Sequence, residues 1–173
     1  MRRSIVAGVV LLSVALVGCG AGQVRGVQPR DGESGLQLAG TVDGRQVAVL
    51  DGLPRLYAGD CGFYVGLPAD VCFGSRDIDG GRLVLGLGNP QAVADAGTLP
   101  VRRPTCGSAD ECADVEDHAV VQLVVGDAPV RIDGGTLTVT ELIPSVRYAG
   151  VFNLRLEDGS VSGRFDVVPS PDS

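Results

Sequence analysis

Apolar and polar positions alternate most clearly in the last third of the chain. Val146, Tyr148, Phe152, Leu154 and Leu156 fall on one side of a period-two pattern, and Arg147, Asn153 and Arg155 on the other. After Asp158-Gly159 the pattern resumes, with Val161, Phe165 and Val167 facing one way and Ser162, Arg164 and Asp166 the other. Period two joined by Asp-Gly predicts a β-hairpin with one packed and one wet face. Residues 36–42, Asp43-Gly44 and residues 47–50 predict a second hairpin near the front. Residues 63–65, 71–73, 82–87 and the β-branched run 119–125 are further strand candidates. Residues 129–132 lead through the turn-like Asp133-Gly134-Gly135 into residues 136–143. Gly150 and Gly163 sit inside predicted strands, where glycine marks a bend or bulge. Residues 89–103 contain Pro90 and Pro100 and read as irregular, with at most one helical turn over residues 90–95. Outside residues 1–18 no window carries a persuasive helical stripe, and there is no fixed-period repeat. The expected fold is all-β and mostly antiparallel, a small barrel or sandwich built from hairpins over residues 36–168, with a disordered tail at 169–173.

The front of the chain changes where this domain is expected to live. Arg2 and Arg3 make a positive start, residues 5–17 are apolar and uncharged, and Leu16-Val17-Gly18-Cys19 follows. That is the order of a secretory signal. Its cleavage region resembles the lipobox of bacterial lipoproteins. The resemblance implies a signal peptide over residues 1–18, a diacylglyceryl group on the Cys19 thiol, and cleavage that leaves Cys19 as the new N-terminus. The rival is an uncleaved membrane helix. The strongly apolar part would reach only ~20 Å as a helix, short of a ~30 Å hydrocarbon core. Residues 19–35 read as a flexible tether, rich in Gly, Gln, Arg, Pro and Asp. The stretch 134–168 also resembles, loosely, the closing meander of small β-rich bacterial lipoproteins of unknown function.

Charge narrows the partners. The chain carries 14 basic residues, all arginine, against 21 acidic ones, for a net charge of −7. Loss of Arg2 and Arg3 makes the mature part more negative still. A phosphate backbone would be repelled, so nucleic acid is excluded as an expected partner. Adhesion to acidic lipid by charge is disfavoured too, so membrane attachment falls to acyl chains. Aromatics make up 4% of residues and there is no Trp, which disfavours a carbohydrate-stacking groove.

Cysteine use agrees with export. Beyond Cys19 there are Cys61, Cys72, Cys106 and Cys112, and four cysteines allow three pairings. The local pairs Cys61–Cys72 and Cys106–Cys112 are expected, because each closes a short loop around turn residues. Each would contribute roughly 2–3 kcal/mol. A zinc site is the alternative, but there is no C-x-x-C and only one histidine, His118.

Catalytic motifs are sparse. Gly159-Ser160-Val161-Ser162-Gly163 does not fit G-x-S-x-G, and Ser75 and Ser108 follow glycine without the rest of that motif. Residues 86–91 begin like a dinucleotide loop, but Gln91 replaces the third glycine and Pro90 interrupts. The acidic segment 110–117 lacks the ligand spacing of an EF-hand, and Asp77-Ile78-Asp79-Gly80 lacks the downstream glutamate. His118 is expected to be a partly exposed residue at a strand entrance. No catalytic residue, metal or cofactor is therefore expected. The expected function is a lipid-anchored, non-catalytic binding or scaffolding module on the extracytoplasmic face of the cell membrane, with an envelope protein as partner. The alternatives are a carrier that holds a small apolar or amphiphilic ligand inside a barrel, and a hydrolase using His118.

Overall fold

A computed structural model describes residues 35–49, 57–59, 71–78, 81–106, 109–126, 128–144 and 146–168. The leader, Cys19, the tether up to residue 34, Cys61, the strand candidate 63–65, Asp79, Ser108 and the tail 169–173 lie outside the described residues. The strands are β1 (Gly35–Val42), β2 (Arg45–Val49), β3 (Tyr57–Gly59), β4 (Val71–Ile78), β5 (Gly81–Leu87), β6 (Thr98–Arg102), β7 (Ala119–Gly126), β8 (Ala128–Val130), β9 (Ile132–Ile143), β10 (Arg147–Leu156) and β11 (Gly159–Val167). Two short helices join them, α1 (Pro90–Ala96) and α2 (Ala109–Ala113). Among the described residues no helix is long and apolar enough to cross a membrane.

The strands form one sheet in the order β2-β1-β11-β10-β9-β6-β7-β5-β4-β3, with β8 added beside β7. The fold is all-β and mostly antiparallel, and the sheet curls into a half-barrel. One pair is parallel: β6 meets β7 through Val101 opposite Ala119 and Arg102 opposite Val120. Parallel neighbours need a long crossover. Here it is the segment 103–118, which carries α2.

Apolar side chains pack inside the curl. Leu36, Leu38, Leu83, Leu85, Leu87, Leu123, Leu137, Phe152, Leu154 and Phe165 belong to one buried apolar cluster. Phe73 on β4 crosses the curl to stack on Phe165 of β11, with ring centroids 5.0 Å apart, and meets Tyr148 of β10 at 5.7 Å. These rings bind the two halves of the sheet to each other. The alternation read in β10 and β11 is the alternation observed, apart from Val146. It lies in the turn before β10 and is 56% exposed.

The two interior glycines differ from each other. At Gly150 the register against β9 shifts, so a bulge is present. At Gly163 the ladder runs on without a shift. What the two share is a phenyl ring across the strand pair. Gly150 faces Phe165 and Gly163 faces Phe152. A Cβ on Gly150 would stand 2.5 Å from Phe165 Cζ, and one on Gly163 would stand 2.4 Å from Phe152 Cζ. Each ring lies over the bare backbone of the opposite glycine, the arrangement called aromatic rescue.

Two sequence expectations need correction here. Asp133-Gly134-Gly135 is not a turn; β9 runs through it from Ile132. Gly135 has φ +142°, and a Cβ there would lie 2.0 Å from the carbonyl oxygen of Asn153, so glycine serves close strand approach rather than reversal. Residues 98–102, read as irregular, form β6, which pairs with β9 from Thr98–Thr138 to Val101–Gly135.

Candidate functional site

Polar side chains become buried where β5 ends and β7 begins. Asn89 is 2% exposed and precedes α1, but its side chain does not cap that helix. Its amide nitrogen donates to the carbonyls of Val115 and His118, each at 2.7 Å, and its Oδ1 accepts from the Val120 amide at 2.8 Å. All three of these hydrogen bonds go to backbone 26 to 31 residues away. The acidic segment is thereby fastened onto the sheet. Nearby, Cys106 and Cys112 are joined, with Cα atoms 5.2 Å apart, and Cys112 packs beside Gly88. Cys72 is also disulfide-bonded and fully buried, and its partner lies outside the described residues.

His118 stands at the entrance to β7 as expected, but it is buried, 9% exposed, where the sequence suggested partial exposure. The clamp by Asn89 on its carbonyl draws it in. Its Nδ1 lies 2.6 Å from Asp117 Oδ1, and Arg102 reaches the other carboxylate oxygen at 3.3 Å. The hydrogen bond from His118 holds the Asp117 carboxyl below the usual carboxylate range, and the charges of His118 and Arg102 pull the same way. Asp117 itself is exposed, so the ion pair with Arg102 adds little to stability. An aspartate that orients a histidine is two-thirds of a catalytic triad. Among the described residues no third part stands at the site: His118 Nε2 is buried and has no hydrogen-bond partner. Ser160 is exposed on β11, away from this site. Among the described residues no three His, Cys, Asp or Glu side chains converge to hold a metal.

A second feature adjoins the first on β7. One edge of this strand pairs with β6 as far as Val120 and with β8 only from Leu123. The ladder is open between them, and a cleft of about 210 Å³ lies there, lined by Arg103, Pro104, Val121, Gln122, Val130 and Ile132 among others. Gln122 is 6% exposed, and neither its amide nitrogen nor its oxygen has a partner. A buried carboxamide left unpaired costs about 1–3 kcal/mol. Replacing Gln122 with Met, an apolar side chain of similar length, is expected to raise stability by roughly 1–2 kcal/mol. Urea unfolding of the two proteins measures it, and an unchanged midpoint would mean that the amide is paired in solution.

Comparison with protein-family models, with curated proteins and with solved structures returns no match. The fold and these two features are therefore the ground for a functional reading. Sequence reasoning had found His118 and the cysteines but not Asn89 or Gln122. Neither has a local signature. Asn89 works through contacts far along the chain, and Gln122 is one polar residue in an apolar run.

Proposed function

We propose that the chain is a lipoprotein anchored through Cys19 on the extracytoplasmic face of the cell membrane, and that its half-barrel is a non-catalytic binding or scaffolding module. The observation that supports the second part is the apolar packing of the described residues inside the curl. A carrier needs an enclosed space of roughly 300 Å³ or more. Here the inside of the curl holds the Phe73–Phe165 stack and the leucine cluster, and the cleft beside β7 is smaller than that and open. The binding surface is then the outside of the sheet or its ends, and the partner an envelope protein. The signal-like leader and the disulfides support export.

A second reading, a hydrolase acting through His118, is favoured by the 2.6 Å contact from Asp117. It lacks a nucleophile at Nε2.

Two measurements test the proposal. Intact-mass analysis of membrane-extracted protein is expected to show loss of residues 1–18 and added acyl mass, with Cys19→Ala blocking maturation. A processed protein without lipid would refute the anchor. His118→Ala is expected to leave the envelope phenotype unchanged. A turnover abolished by that substitution with folding intact would replace the module with the hydrolase.

A further inference from the structure

Most of the exposed large apolar side chains gather at one end of the sheet. Among the described residues they are Ile143 (43% exposed), Val146 (56%), Val168 (37%) and Val151. The first three surround the β9–β10 turn. Ile143 faces Arg147 across that turn, Val146 closes it through a 2.9 Å bond from its amide to the Ile143 carbonyl, and Val168 follows the Val167–Tyr148 pair. Singly scattered surface hydrophobes are ordinary, but a cluster on one rim is a contact surface.

The same rim is where the chain arrives from its N-terminal side. β1 begins at Gly35, which pairs with Asp166; Asp166 pairs with Ala149, and Ala149 with Glu141. At ~4.8 Å per strand, Gly35 lies only ~10 Å to the side of the apolar hairpin. Residues 20–34 separate Gly35 from Cys19 and would span ~50 Å fully extended and ~20 Å as a coil. An anchor at Cys19 therefore joins the domain from this end of the sheet and leaves the apolar hairpin within reach of the bilayer.

We propose that the apolar rim of Ile143, Val146 and Val168 dips into the headgroup–acyl boundary of the membrane carrying the anchor. The inference rests on lipidation at Cys19. The charges at the rim fit it. Arg147 stands between Ile143 and Val168 and is bound to Asp166 at 2.7 Å and Glu141 at 3.3 Å, so the nearest charges are paired with one another. Its aliphatic stem adds to the apolar surface while the guanidinium stays level with the headgroups. Three side chains are too few to hold a free protein on a bilayer. The tether supplies the effective concentration that makes the contact persist, and the rim contact orients the module relative to the membrane.

The chain contains no tryptophan, so one introduced residue is an unambiguous reporter. Mature Val146→Trp protein, extracted from membranes, is reconstituted into phosphatidylcholine vesicles. Its emission is expected to shift to the blue and lose roughly half its intensity to lipids brominated near the ~5–10 Å depth of an interfacial apolar face. Val168→Trp is expected to behave alike. Ser160→Trp, at the other end of β11 and ~26 Å along the strand from Val168, is expected to show neither change. Vesicle-bound, acylated protein whose Val146→Trp and Val168→Trp emissions match that of Ser160→Trp would overturn the rim contact and leave the anchor standing. Membrane-extracted protein without acyl mass would overturn both. A blue shift without vesicles, in protein that sediments as a dimer, would assign the rim to a second copy of the chain instead.

Discussion

Asn89→Ala is expected to lower the stability of the domain by about 4 kcal/mol, since each buried polar group left unpaired costs ~1–3 kcal/mol. The substitution strands three groups at once: the Val120 amide and the carbonyls of Val115 and His118. The Val120 amide and the His118 carbonyl are buried, and the Val115 carbonyl is part-buried. Asn89→Asp separates the contributions. It keeps an acceptor for Val120 but aims a carboxylate at two carbonyl oxygens, so it is expected to be at least as damaging as alanine. Urea unfolding followed by circular dichroism reads both. A loss below about 1 kcal/mol for alanine would mean that water replaces the carboxamide and that the clamp is not structural. Domains are stable by only about 5–15 kcal/mol, so a loss of this size is visible in the yield of folded protein as well.

Gly163→Ala is expected to cost about 3 kcal/mol, the upper part of the range for overpacking. The added methyl would lie 2.3 Å from the Gln37 carbonyl oxygen, 2.4 Å from Phe152 Cζ and 3.0 Å from Leu38 Cβ. The ring can tilt, but the carbonyl belongs to β1 and can move only if β1 separates from β11. Phe152→Leu added to Gly163→Ala tests this division. It removes the ring clash and leaves the carbonyl clash, so the double variant is expected to stay unstable. Full recovery in the double variant would show that the ring alone enforces glycine at this position.

The hairpins were legible because their signals are local. Asp43-Gly44 and Asp158-Gly159 announce reversals, and alternation over residues 147–167 tells inside from outside. β6 was not legible. Its five residues include Pro100 and lie close to Pro90 and Pro104, a composition that reads as a loop. The strand exists because β9 on one side and β7 on the other supply its partners, and both come later in the chain. α2 was missed for a related reason: five residues are too few to form a helix unaided, and these sit against the Cys106–Cys112 bridge. For the site, the sequence located His118 and could not reveal that its carbonyl is held by a residue 29 positions away. Val146 falls on the packed face because the alternation reaches it on paper; the turn runs one residue further and β10 begins only at Arg147.

The pairing of β1 with β11 also governs the order in which the molecule can be built. β11 follows every other described strand, yet it lies between β1 and β10 rather than at an edge. As the polypeptide emerges N-terminus first, β1 and β2 are made before the other described strands and wait for a neighbour made after them all. Until then β1 and β10 each present an unpaired edge, the kind of surface that recruits strands from other chains. Contacts of such long sequence separation also make folding slow. Closure of the sheet is thus held back until β11 has been made, and a copy truncated before residue 159 would leave the facing edges of β1 and β10 open.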